Sequence, residues 1–121
     1  MRGLGELESA VMDRLWRWAR PTTVREVADD LNTERALAYT TVQTVMDNLF
    51  RKGWLTRTPQ GRAHRYEPTI TREAAAARLM REALADGEDH QAVFTHFLAQ
   101  MDAVEARALR AALRRHGRSA P

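Results

Sequence analysis

Residues 39–53, Tyr39-Thr-Thr-Val-Gln-Thr-Val-Met-Asp-Asn-Leu-Phe-Arg-Lys-Gly53, decide the fold. Val42, Val45, Met46 and Leu49 recur at helical spacing and share one side, so the stretch predicts a helix seated on a core. Gly53 supplies the left-handed stop that ends it. The other side carries Thr40, Gln43, Thr44, Asp47, Asn48 and Arg51, which are short or hydrogen-bonding groups. Asp47 is out of place near phosphates and reads as an i,i+4 partner for Arg51. A helix with one face for a core and one for donors and acceptors suits the major groove, where bases show donors, acceptors and thymine methyls.

Working outward from this helix, Leu4, Leu7, Val11, Leu15 and Trp18 form one apolar stripe, closed by Arg20-Pro21. Thr23-Val-Arg-Glu26 reads as a capping box, and Val24, Val27, Ala28 and Leu31 then line a second helix of about ten residues. On the other side, Trp54–Thr58 and Ala63–Glu67 alternate like strands, and Pro59-Gln-Gly-Arg62 has turn chemistry. Three helices followed by a basic hairpin is the order of a winged helix-turn-helix. Gln43 suits a bidentate pair to adenine, and Thr40, Thr41 and Thr44 suit phosphates or thymine methyls. Tyr39 falls where the turn enters the helix, and Arg62, His64 and Arg65 on the hairpin would meet phosphates or the minor groove.

Charge agrees with this reading locally rather than globally. The 121 residues hold 19 Lys+Arg against 16 Asp+Glu, yet residues 51–66 carry Arg51, Lys52, Arg57, Arg62 and Arg65 with no acid. Arg51 and Lys52 at the end of the helix are expected to contact DNA together with the hairpin cations. The absence of Cys excludes a disulfide framework, a Cys-ligated zinc finger, an iron–sulfur cluster and a thiol nucleophile. No apolar run reaches membrane-span length and the first residues do not form a signal peptide, so a cytoplasmic protein is expected, with no membrane partner. His64, His90, His96 and His116 do not share a face in metal-binding spacing, so no metal or other cofactor is expected. No catalytic arrangement of residues stands out, and the protein is expected not to be an enzyme. Trp16, Trp18 and Trp54 read as core packing.

Beyond the hairpin, three helical patterns follow, Thr71–Ala85, Gln91–Met101 and Asp102–His116. They are broken at Asp86-Gly-Glu-Asp89, with Asp102-Ala-Val-Glu105 as a helix start and Gly117–Pro121 expected to fray. Leu79, Met80, Leu84, Val93, Phe94, Phe97, Leu98, Met101, Val104, Leu109 and Leu113 are too many apolar groups for about fifty residues to cover alone. A second copy would cover them. The predicted fold is mainly α with a small β-hairpin: a winged helix-turn-helix domain over residues 1–70 and a helical dimerisation domain over 71–121. The predicted partner is double-stranded operator DNA, held by a homodimer whose two recognition helices lie whole DNA turns apart.

LGELESAVMDRLW, TVREVADDL, AYTTVQTVMDNLFRKGWL and RAHRYEP resemble the penicillinase repressor family, often called the BlaI/MecI/CopY group, in its actinobacterial BlaI-type form. The resemblance implies a repressor with an N-terminal winged helix and a C-terminal dimerisation domain. It makes the helix matching Thr40 to Lys52 the recognition helix, with Thr40, Thr41, Gln43, Thr44 and Asn48 facing the groove. Thr40, Gln43 and Asn48 stand where some relatives are basic, so operator preference does not carry over unchanged. Copper-responsive members use Cys-x-Cys motifs that this chain lacks. Beta-lactam-responsive members are released when a sensor-coupled protease cuts the dimerisation region, commonly at Asn-Phe, and the matching place here reads His96-Phe97. Two other readings stay open: release by a small effector, and a winged-helix adaptor that grips protein.

Overall fold

The computed structural model describes residues 3–119. In chain order the elements are α1 (Glu6–Trp18), β1 (Thr22–Thr23), α2 (Val24–Leu31), α3 (Tyr39–Arg51), β2 (Leu55–Gln60), β3 (Ala63–Pro68), α4 (Arg72–Ala85), α5 (His90–Ala99) and α6 (Ala103–Ser119). The chain divides into two compact units within α4, at 79/80, where the sequence suggested 70/71.

In the first unit, Val11, Met12 and Leu15 of α1 meet Val24, Val27, Ala28 and Leu31 of α2, Val42, Met46 and Leu49 of α3, and Leu55 and Tyr66 of the sheet in one buried cluster. Leu4, Leu7, Val45 and all three tryptophans pack around it half-buried. Leu4 precedes α1, which begins only at Glu6. That helix ends at Trp18, because Ala19 turns left-handed (φ 52°) and donates its N–H to Leu15 O. The stop therefore comes before Arg20-Pro21. The capping box is formed: Glu26 N–H donates to Thr23 Oγ1 at 3.2 Å and Thr23 N–H to Glu26 Oε1 at 3.3 Å. The helix it opens spans eight residues rather than ten.

The antiparallel sheet has the order β1-β3-β2, one strand more than the hairpin expected from sequence. β1 escaped the sequence reading because two threonines carry no period. Thr22 is fully buried opposite Tyr66. The hairpin is also tighter than expected. Gln60 pairs with Ala63 and Pro59 with His64, so only Gly61 and Arg62 turn the chain. Gly61 (φ 61°) supplies the positive angle such a two-residue turn needs. Pro59 is tolerated because β2 is an edge strand. After β3, Trp16 Nε1 donates to Ile70 O at 2.9 Å, Arg72 Nη2 reaches Asp13 Oδ1 at 2.7 Å, and Ala75 is fully buried. The start of α4 thus belongs to this unit.

The second unit has no buried side chain among the described residues. Asp89 Oδ1 caps α5 by accepting from Ala92 N–H, and Asp102 and Glu105 cap α6 reciprocally through each other's N–H groups. Gly87 lets Val93 approach, since a Cβ there would stand 2.8 Å from Val93 Cγ2. α6 continues through Gly117 and Arg118 to Ser119, so these residues are helical where fraying was expected; Ala120 and Pro121 lie outside the described residues. None of the described helices is long and apolar enough to cross a membrane.

Candidate nucleic-acid interface

Burial of Val42, Met46 and Leu49 fixes the rotation of α3 and turns the opposite face to solvent. Tyr39, Thr40, Thr41, Gln43, Thr44 and Asn48 are all exposed there. Asp47 and Arg51 form the expected i,i+4 pair at 2.6 Å. Asp47 also takes Arg57 of β2 at 3.1 Å on its other oxygen, and the Arg57 guanidinium stacks on Phe50 at 4.1 Å. The acid beside the exposed polar face is therefore neutralised by two arginines and ties α3 to the hairpin.

The cations expected to contact DNA are not equivalent. Arg62, at the hairpin tip, is exposed and has no carboxylate within 4.0 Å among the described residues. Arg65 stands opposite Thr23 of β1 and is occupied. It pairs with Glu26 at 3.4 Å, donates to Pro21 O at 3.4 Å and bonds Gln60 Oε1. Lys52 is held by Glu8 of α1 at 2.9 Å. His64 is half-buried edge-on to Tyr66, with ring centroids 6.3 Å apart. Hence α3 and Arg62 form an open surface, while Lys52, Arg65 and His64 are engaged within the fold.

The supports of that surface are also ionic. Arg14, nearly buried in α1, donates from Nε to Asp30 Oδ2 at 3.0 Å, from Nη2 to Glu34 Oε1 at 2.9 Å and from Nη1 to Ala10 O at 3.3 Å. It fastens α1 to the end of α2 and to the turn that leads into α3. The Asp30 hydrogen bond, against the cost of burial, raises the Arg14 pKa. Arg20 beside Glu26 holds that carboxyl below its usual range, and Arg72 does the same for Asp13. Burial pushes Glu8 upward, but Gly5 N–H and Lys52 outweigh it and the net shift is downward.

The sequence reading passed over Arg25. Its guanidinium carbon lies 4.8 Å from the centre of the Tyr39 ring, on the exposed side of α2. Its position was legible, since Thr23 as the cap and Val24, Val27 and Ala28 as the inward set leave Arg25 facing out. Its neighbour across the turn was not. No cluster of three or more His, Asp or Glu capable of holding a metal occurs among the described residues.

Of the residues expected to be covered by a second copy, Met80, Val93, Phe94, Phe97, Leu98, Val104 and Leu113 are exposed, and Leu79, Leu84, Met101 and Leu109 are half-buried. Met80, Leu84, Val93, Phe94 and Phe97 line an open cavity of about 530 Å³ in the second unit. His96 and Phe97 lie inside α5 rather than in a loop.

A family model described as penicillinase repressor matches residues 4–115. The chain is 48% identical over 113 residues to the transcriptional regulator BlaI of two Mycobacterium tuberculosis strains, covering 91% of this chain and 82% of that protein. Among solved structures, the DNA binding domain of the repressor BlaI is similar at TM-score 0.51 and 27% identity, over 58% of this chain and 84% of that one. MepR, a transcription regulator of the Staphylococcus aureus multidrug efflux pump MepA, shares the fold at TM-score 0.50 and 16% identity, over 98% of this chain and 82% of its own. The chain belongs to the penicillinase repressor family, whose members are transcriptional repressors built on a winged helix-turn-helix DNA-binding fold rather than enzymes.

Proposed function

We propose that this repressor acts in the cytoplasm as a homodimer on a two-fold pseudo-palindromic operator, controls beta-lactam resistance or related genes, and is released by proteolytic cleavage. One observation carries the DNA contact: α3 is buried along Val42, Met46 and Leu49 and open along Thr40, Gln43, Thr44 and Asn48. Gln43 reads a base edge, the threonines contact phosphates or thymine methyls, and Arg62 adds sequence-blind affinity from the hairpin. The dimer is supported by the second unit, whose apolar side chains lack a core of their own. A second copy would bury them and space two recognition helices by whole turns of DNA.

In this reading the cut falls at His96-Phe97, the position that corresponds to the Asn-Phe bond of beta-lactam-responsive members. A bond inside α5 is cut only after local unwinding; α5 has no buried residue within its own chain, so what resists its opening is the proposed contact with the second copy. A small effector in the 530 Å³ apolar cavity is the second reading, and it predicts a higher melting temperature with ligand.

The test is selection of genomic fragments by the purified protein at near-physiological salt, followed by footprinting. A pseudo-palindrome with half-sites whole turns apart is expected. Weak binding that is blind to sequence and lost in salt would sink the specific-repressor reading.

A further inference from the structure

Most cations of the first unit are already engaged by a carboxylate within the fold, several of them sharing one. Between residues 3 and 72 every arginine, and Lys52, has a described carboxylate within 4.0 Å except two. Those two are Arg62, at the hairpin tip, and Arg25, the second residue of α2. Arg25 is not loose, because its guanidinium sits 4.8 Å from the Tyr39 ring centre, at the first residue of α3.

An aromatic partner and a carboxylate partner leave an arginine in different states. A carboxylate engages part of the N–H fork and offsets charge, as Asp47 does by sharing its two oxygens between Arg51 and Arg57. A ring holds the guanidinium plane by its face and leaves the N–H edge and the full charge available. It also orders the side chain beforehand, so less rotamer freedom is lost when the fork meets an anion.

The geometry points to Arg25 and Tyr39 as a phosphate clamp, in which Arg25, stacked on Tyr39, forks a backbone phosphate of the duplex where α3 begins. The inference rests on the reading of α3 as the element that enters the groove. The clamp carries no base preference. It is a positioning pair that fixes how α3 enters and therefore which base Gln43 meets.

Arg25→Ala, Arg25→Lys, Tyr39→Leu and the double variant Arg25→Ala/Tyr39→Leu are titrated against two duplexes of equal length. One is the operator recovered by genomic selection and the other is its scrambled sequence, between about 50 and 200 mM KCl. Each phosphate contact contributes about 0.9 to the slope of log affinity on log salt. Arg25→Ala should therefore lower the slope by about 0.9 per bound protomer on both duplexes. The Kd ratio between the salt limits then shrinks about 3.5-fold for one protomer, or about 12-fold for a symmetric pair. Arg25→Lys should keep the slope and weaken both duplexes, since an ammonium cannot fork. Tyr39→Leu should weaken binding severalfold in the parent and little when Arg25 is already Ala.

An unchanged slope in Arg25→Ala, or additive effects of Arg25→Ala and Tyr39→Leu, would overturn the clamp. The two readings fail separately. Equal affinity of the parent for both duplexes, with the slope still falling in Arg25→Ala, would sink the operator and leave the clamp. Discrimination between the duplexes without a slope change would do the reverse.

Discussion

Arg62 and Arg65 are three residues apart on the same hairpin, yet the fold predicts opposite results when each becomes Ala. Arg62 is exposed and has no described carboxylate partner, whereas Arg65 already serves Glu26, Pro21 O and Gln60. Only a cation free to meet a phosphate displaces a counterion, at about 0.9 in slope per contact. A two-fold complex contains each residue twice, so Arg62→Ala should flatten the slope by about 1.8. Between about 50 and 200 mM salt the parent would weaken about 12-fold more than the variant. Arg65→Ala should leave the slope within about 0.3 of the parent, because its guanidinium is already held by Glu26, Pro21 O and Gln60 and does not reach a phosphate. Fluorescence anisotropy on a labelled operator at four salt concentrations reads both values. Equal slope losses for the two variants would refute the reasoning, since they would mean that Arg65 leaves Glu26 for DNA. A loss near 0.9 for Arg62→Ala would instead mean that one protomer engages at a time.

Gln43→Ala should cost about 1–3 kcal/mol on the operator and almost nothing on scrambled duplex, and equal losses on both would remove its base-reading role. Arg14→Ala should lower unfolding free energy by about 1–2 kcal/mol in urea titration at fixed protein concentration. That is less than the roughly 3–5 kcal/mol of a fully buried pair, because Asp30 and Glu34 are 41% and 64% exposed and rehydrate when left alone. A change below about 0.5 kcal/mol would show that Arg14 does not hold α1 to α2. Asp13 and Glu26 have folded pKa values lowered from 3.8 and 4.5 by Arg72 and Arg20, so their contribution is present above those values and fades as pH falls through the folded ones. The urea midpoint should accordingly drop as pH goes from about 5 to 3, and less steeply in Asp13→Asn; parallel curves would contradict the assignment. Phe97→Glu, on an exposed position of α5, should turn the proposed dimer into a monomer in sedimentation without lowering helix content, and a dimer that persists would place the interface elsewhere.

What could be read ahead of the structure was what neighbours in sequence decide. Thr23 and Glu26 are three apart, Asp47 and Arg51 four, and Gly53 closes the helix just before it; each interaction is local, and each is present. The exposed side of α3 was legible because burial of Val42, Met46 and Leu49 leaves one side free. Interactions made across the fold were not legible. Thr22–Thr23 becomes a strand only because Tyr66 and Arg65 arrive beside it. Arg14 looks like a break in an apolar stripe until Asp30 and Glu34 surround it. Lys52 and Arg65 look free for DNA until Glu8 and Glu26 are placed against them. A run of five cations in residues 51–66 thus marks a basic segment correctly and overstates how many of its charges are available.

That limited supply of free charge bears on what the proposed dimer would gain from two copies. With Lys52, Arg51, Arg57 and Arg65 engaged within the fold, one winged helix would bring Arg25, Arg62 and the polar face of α3 to DNA under the proposed docking. A few phosphate contacts and one or two base contacts make a half-site that salt readily releases. Joining a second winged helix makes the next contact intramolecular and multiplies affinity without adding any new kind of contact. The joining element is then the natural place for control. A cut at His96-Phe97 would leave α3, Arg14 and the sheet untouched while parting Phe94 from Phe97, Leu98 and all of α6. Under this arrangement induction does not require unfolding the reading head. It requires only that two half-sites stop being read together.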